Sequence, residues 1–215
     1  RAMIDSFKST LKIEKMKIMI LVENPTFFPY NDIEVLERFP EYHGIKAYIQ
    51  SRLDALLIFS TSGKLAFTRR GKEFMQAVNA ADIVIHAPGG PAIGDLYGGI
   101  VVDFEYLYRL LIPIRCGKPV FFYAPSMGPF TSKLRNVVRK AVLKRTNTII
   151  LREEISKKYL KKQLGLDAYV TLDSAFQNNV NEEYINKYEG SLELLDIIKN
   201  EKVVGIVLTD LKWHA

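Results

Sequence analysis

Short runs of consecutive apolar residues punctuate this chain and alternate with longer stretches of helical spacing. The runs fall at residues 16–22, 55–59, 82–86, 119–124, 148–151 and 203–208, with a weaker one at 168–172. Several are apolar throughout rather than alternating, which is the pattern of a strand covered on both faces, as in a parallel sheet. Between them, residues 103–115 place Phe104, Leu107, Tyr108, Leu111 and Ile112 on one stripe before Pro113 disturbs the end. Residues 132–145 place Leu134, Val137, Val138, Ala141 and Val142 at three-four spacing, with Thr131 or Ser132 as the N-cap. A helix over 156–164 stops at Gly165, and Ser191 caps a last one reaching Lys199. Alternating strand and helix predicts an α/β fold with a Rossmann-like parallel sheet. The core strand at 203–208 predicts that residues 1–200 form one such domain and that 201–215 begin a second, incomplete one.

With 48% apolar residues in 215, a sizeable core can be buried. The formal net charge of +6 suits anionic partners without choosing among them. One cysteine, Cys116, excludes an internal disulfide and reads as structural. His43, His86 and His214 have no metal-site spacing, so no metal is expected. Neither a signal-peptide pattern nor an apolar run of roughly 20 residues is present, and the chain reads as soluble and cytoplasmic.

In sheets of this kind ligands bind beyond the C-terminal strand ends, so the chemistry is sought there. The run at 82–86 leads into Ala87-Pro-Gly-Gly-Pro91 and then Asp95. Paired glycines let backbone amides approach an anion, although a tight turn without a ligand accounts for them equally well. The segment is neither a P-loop nor a dinucleotide fingerprint. Asp95 alone is more often a solvated loop carboxylate than a catalytic one. The run at 119–124 leads into Pro125-Ser-Met-Gly-Pro129, a second small-residue loop. The run at 148–151 is followed by Arg152-Glu-Glu-Ile-Ser156. An arginine where a strand gives way to a helix can grip phosphate or carboxylate, or simply pair with Glu153 or Glu154. Asp173, in Asp173-Ser-Ala-Phe176, stands at another strand end and can orient Arg152, receive a proton, bind a sugar hydroxyl or equally serve only a turn.

In order and spacing, Ala87-Pro-Gly-Gly-Pro91, Gly117-Lys-Pro-Val120 with Met127-Gly-Pro129, Arg152-Glu-Glu-Ile-Ser156 and Asp173-Ser-Ala-Phe176 resemble the polysaccharide pyruvyl transferase family. The resemblance covers roughly residues 80 to 180, and 203–208 is similar to the strand opening the family's second domain. It implies a two-domain architecture like that of B-type glycosyltransferases, with the active site in the cleft between Rossmann-like domains. It implies transfer of a pyruvyl group from phosphoenolpyruvate to a sugar, often carrier-linked, as a cyclic ketal in cell-surface or exopolysaccharide biosynthesis, with no metal and no other cofactor. On that resemblance Arg152 is the catalytic, anion-binding cation and Asp95 the candidate base. Gly89, Gly90, Gly128 and Asp173 join Arg152 in binding substrate. Two departures stand out. Pro88 and Pro91 interrupt the glycine run, and residues 23–32 lack the family's usual Gly-rich loop.

Lys133, Arg135, Arg139, Lys140, Lys144 and Arg145 form one basic cluster, and Lys157, Lys158, Lys161 and Lys162 a second. They read first as solvated helix faces, and as a peripheral contact with the inner face of an anionic membrane in the sharper reading. No nucleic-acid-binding motif accompanies the charge. Tyr97, Tyr106 and Tyr108 can stack on sugar or pack in the core. Two other functions fit the pattern: a B-type glycosyltransferase using a nucleotide sugar, and a degenerate, non-catalytic binding module.

Overall fold

The computed structural model describes residues 2–11, 19–22, 33–37, 39–40, 45–88, 92–97, 99–173 and 176. The chain divides into two units, residues 12–173 and residues 1–11 with 174–215. In the latter, α1 (Ala2–Leu11) carries Lys8 in its last turn, where a cation complements the helix dipole. Everything below concerns the larger unit.

There, β1 (Met19–Val22) and β2 (Glu34–Glu37) form a parallel two-stranded sheet. Next come α2 (Ile45–Ser60), α3 (Arg69–Ala80), β3 (Val84–His86), α4 (Ile100–Arg115), β4 (Val120–Tyr123), α5 (Lys133–Leu143), β5 (Thr148–Leu151), α6 (Glu154–Tyr159) and β6 (Tyr169–Val170). Strands β3, β4, β5 and β6 make a second parallel sheet in that order. The result is an α/β, Rossmann-like arrangement. The strands at 82–86, 119–124, 148–151 and 168–172 all appear, trimmed by a residue or two at some ends. The expected elements at 191–199 and 203–208, and the domain boundary near Lys202, lie outside the described residues.

One core covers one face of the larger sheet. Val120 and Phe122 of β4 and Ile149 and Leu151 of β5 are buried with Leu107 and Leu110 of α4, Val142 and Leu143 of α5, and Leu160 and Leu164. The alternate strand residues, Phe121, Tyr123, Thr148 and Ile150, are only half-buried. Among the described residues the sheet is thus fully covered on one face, where the apolar runs implied two. A second cluster joins Ala55 and Ile58 of α2, Phe74, Met75 and Val78 of α3, and Tyr108 and Ile112 of α4. Helix α4 therefore serves both cores from two sides.

Four local outcomes differ from the sequence reading. Residues 55–59, expected as a strand, lie within α2. Ala55 and Ile58 are fully buried while Leu56 is exposed, a three-residue alternation of inside and outside. A short apolar run is compatible with either structure, and residues 45–54 contain no glycine or proline to stop a helix entering it. The buried Asp54 then fixes the turn after α2, accepting hydrogen bonds from the amides of Phe67 and Thr68, both at 2.9 Å. Helix α3, capped by Thr68 accepting from the Gly71 amide, and strand β2 had no counterpart in the sequence reading. Finally, the helix over 156–164 starts at Glu154 and passes at Leu160 into a π-helical turn. Gly165 ends it as expected, in the left-handed conformation at φ 68°.

A fourth difference is in α5. Its regular apolar stripe was expected to face the core. Leu134, Val137 and Val138 are instead exposed, and Arg139 is fully buried beside Val142 and Leu143. The helix is turned so that Arg139 is inside with Val142 and Leu143, while Leu134, Val137 and Val138 of the apolar stripe are out. Asp95 and Asp103, far away in sequence, make that orientation tolerable by neutralising the guanidinium.

Candidate functional site

The C-terminal ends of β4 and β5 lie side by side. At the end of β4 the chain leaves the sheet through Ala124, whose φ of 53° is left-handed despite its side chain. Its amide donates to the Ile150 carbonyl at 2.7 Å, so the kink is tied to the neighbouring strand. Pro125 and Ser126 then run beside the end of β5, where the sequence turns into Arg152.

Arg152 is held at two points. Its Nε donates to Ser126 Oγ at 2.7 Å, and its Nη1 donates to Asp173 Oδ2 at 2.6 Å. Ser126 is buried, whereas about a fifth of the Arg152 side chain and a third of the Asp173 side chain remain exposed (21% and 32%). Among the described residues Arg152 Nη2 has no partner. The guanidinium is therefore fixed by a buried hydroxyl on one side and a carboxylate on the other, with a donor left at the rim.

The next residues brace this arrangement. Ser156 Oγ accepts from the Met127 amide at 2.8 Å and donates to Glu153 Oε1 at 2.7 Å. The serine of Arg152-Glu-Glu-Ile-Ser156 thus ties α6 to the loop after β4. Tyr97 lies within electrostatic reach of Glu153 and Arg152. Burial raises its phenol above the usual tyrosine value, Glu153 adds to the rise, and it stays a neutral donor. At the end of β3, His86 stacks on Phe122 with ring centres 5.3 Å apart. Burial, and then the Arg109 cation, push its imidazole down to about 3, so it is neutral at physiological pH. Among the described residues its buried Nε2 has no hydrogen-bond partner.

The glycine of the second loop is a packing element. A Cβ at Gly128 (φ 81°) would lie 2.7 Å from Tyr159 Cβ. A Cβ at Gly94 would lie 2.8 Å from the Gly128 backbone nitrogen and oxygen. Two loops, one after β3 and one after β4, touch backbone to backbone, and Gly128 is buried between them. The amide of Gly128, which was expected to contact substrate, donates to the Ile93 carbonyl at 2.8 Å. Gly89 and Gly90, expected to line the cleft, lie outside the described residues.

Asp95, expected as the base, does a different job. Its Oδ2 accepts from the Thr131 amide, from the Thr131 hydroxyl at 2.6 Å and from the Ser132 amide at 3.0 Å, capping α5 from outside the helix. Its Oδ1 pairs with Arg135 and lies 2.8 Å from Arg139 Nη2. Burial alone would push its carboxyl up. Hydrogen bonds from Thr131, Arg139 and Ser132 outweigh that and hold it well below the usual carboxylate range. A carboxylate so heavily stabilised as the anion is a poor proton acceptor.

What the structure brings together is thus Arg152, Asp173, Ser126, Glu153 and Ser156. The sequence singled out Arg152 and Asp173. Ser126 went unassigned within a loop of small residues, and only the register of β4 against β5 puts it beside Arg152. Among the described residues, no group of three or more His, Cys, Asp or Glu side chains is placed to hold a metal ion. No helix there is long and apolar enough to cross a membrane.

These features define a parallel α/β protein with an anchored arginine at the C-terminal strand ends. The chain belongs to the polysaccharide pyruvyl transferase family, a family of transferases whose model matches residues 2–214. It is also similar to the amylovoran biosynthesis protein AmsJ of Erwinia amylovora, with 32% identity over 91 residues. That alignment covers 42% of this chain and only 20% of AmsJ. No solved structure matches.

Proposed function

We propose that this chain supplies the donor-gripping part of a pyruvyl transferase, which moves a pyruvyl group from phosphoenolpyruvate to a sugar in polysaccharide synthesis. The observation that carries the reading is Arg152, held by Ser126 and Asp173 at the end of β5 with Nη2 at the rim. Phosphoenolpyruvate carries a phosphate and a carboxylate, and a guanidinium fixed before the ligand arrives binds such groups with little reorganisation.

The reaction imposes its own order. Protonation of the terminal vinyl carbon makes the adjacent carbon electrophilic. A sugar hydroxyl adds there and gives up its proton. A second hydroxyl then displaces phosphate to close the ketal. Arg152 balances the charge on the donor throughout, most strongly as phosphate departs. Asp173 holds the guanidinium in the plane that Ser126 sets, and Glu153 and Ser156 keep the β4 loop fixed. Asp95 is not given the base role, because its lone pairs already serve α5 and two arginines. In this reading the described unit is one wall of a two-domain, B-type cleft.

The test is thermal unfolding with phosphoenolpyruvate or with a panel of nucleotide sugars, repeated on Arg152→Ala. A ligand that binds only the folded state raises Tm. Stabilisation by phosphoenolpyruvate that disappears in the variant is the expected result. Stabilisation by a nucleotide sugar alone would replace this reading with glycosyl transfer, and no response to either would point to a non-catalytic binding module.

A further inference from the structure

Helix α5 is built inside out, and its outer surface has a chemistry of its own. Leu134, Val137 and Val138 are 82%, 68% and 55% exposed, and Ala141 is exposed beside them. Spacings of three and four put these residues on one stripe. Lys133, Lys140 and Lys144, all exposed and spaced seven and four, run along one edge of it. Residues 133–145 contain no aspartate or glutamate. The acids that approach this helix, Asp95 and Asp103, do so from inside, where Arg135 and Arg139 take them up. The lysine row is therefore not offset by the carboxylates that neutralise the arginines. It also continues beyond the helix. Lys140 Nζ lies 3.5 Å from where a Cβ at Gly165 would stand, directly after the π-helical turn that presents Lys162 and Lys161, the latter paired with Asp167 at 2.9 Å.

An exposed apolar stripe marks a surface meant to be covered. A second copy of the chain, docked about a two-fold axis, would bring the same lysine-edged patch against itself and oppose like charges. A nucleic acid backbone would satisfy the lysines and leave leucine and valine without a purpose. An anionic lipid surface satisfies both: short apolar side chains enter the acyl boundary, and lysines reach the phosphates on flexible stems. We infer that α5 docks this protein on an anionic bilayer. It lies flat, with Leu134, Val137 and Val138 immersed and Lys133, Lys140 and Lys144 at the headgroups.

The experiment is co-sedimentation of the full chain with vesicles of phosphatidylcholine alone, or of phosphatidylcholine and phosphatidylglycerol in equal parts, over a series of salt concentrations. Two triple variants accompany it: Lys133→Gln with Lys140→Gln and Lys144→Gln, and Leu134→Ser with Val137→Ser and Val138→Ser. Both change exposed side chains, and thermal unfolding checks that the fold is kept. The wild type is expected to bind the anionic vesicles, more weakly as salt rises. The lysine variant should bind on the order of a hundredfold more weakly, from about 1 kcal/mol per lysine. The apolar variant should lose binding even at low salt. Failure of the wild type to bind anionic vesicles would overturn the inference. So would undiminished binding by the apolar variant, or a lipid-free dimer that the apolar variant dissociates. No donor or acceptor is present, so this result stands or falls apart from the pyruvyl reading.

Discussion

Two arginine–aspartate clusters lie in the same unit and behave as opposites. In the first, Arg139 is fully buried, its Nε donating to Asp103 at 2.9 Å and its Nη1 to Asn136 at 3.0 Å. Its Nη2 is in ionic contact with Asp95 and Asp103, and its guanidinium lies 5.4 Å from the Phe130 ring centre. Two acids and two arginines close on one another and pin α4 to α5. In the second, Arg152 has one carboxylate, one hydroxyl and an edge open to solvent. At Arg139 and Asp103 the first cluster is closed off from solvent; the second keeps an edge open to it. A buried charge network is a structural commitment, and the fixed, partly open one is the place proposed above for the donor.

The sharpest way to break this comparison is to remove one arginine from each cluster. Arg139→Ala leaves the buried Asp103 with only its 3.3 Å bond from Arg135, and should lower unfolding free energy in urea by about 3–5 kcal/mol. Arg152→Ala, with its carboxylate partner partly solvated, should lower it by about 1 kcal/mol or less. Equal losses would mean the two clusters are not different in kind. Gly128→Ala tests the loop that carries Ser126. A left-handed alanine pressed on Tyr159 should cost roughly 2 kcal/mol or more by the same measurement, and a neutral outcome would show that the loop can yield.

Acid separates the clusters next. Asp95 titrates lower in the folded chain than in the unfolded one, so its contribution is fully present above about pH 4 and fades as pH falls through its folded value. Asp103 runs the other way, because burial pushes its carboxyl up against the pull of Arg139 and Arg135. Below pH 4 the loss of Asp95 should therefore show as an acid limb in stability. Asp95→Asn should flatten that limb and lower stability at pH 7 by about 2 kcal/mol; an unchanged limb would remove Asp95 from the account. The smallest effect is expected from Ser126→Ala. It should change stability by about 1 kcal/mol while reducing the Tm rise with phosphoenolpyruvate, and an intact rise would mean that Ser126 does not position Arg152.

The same contrast explains what could be read from the chain. Strands β3, β4 and β5 were legible because each is a short apolar run bounded by turn residues. Arg152 and Asp173 were legible because both sit where such runs stop. What was missed depends on distant residues. Asp95 looked like a free loop carboxylate because its partners, Arg135 and Arg139, lie some 40 positions away. For the same reason α5 was assigned the wrong inside: its apolar stripe is regular, and nothing local reveals that two acids have claimed the opposite face. Residues 55–59 satisfy helix and strand alike, and tertiary contacts decide between them. Ser126 was hidden by being an ordinary serine in a loop.

The contact between Gly94 and Gly128 has a consequence for how such a protein can diversify. Two loops that touch through bare backbone cannot drift apart independently, since any side chain added at either contact collides with its neighbour. The loop that carries Ser126 is thus a fixture with little room for side chains at these two positions. New preferences have to be written at the rim, in side chains that can be exchanged without moving either strand end.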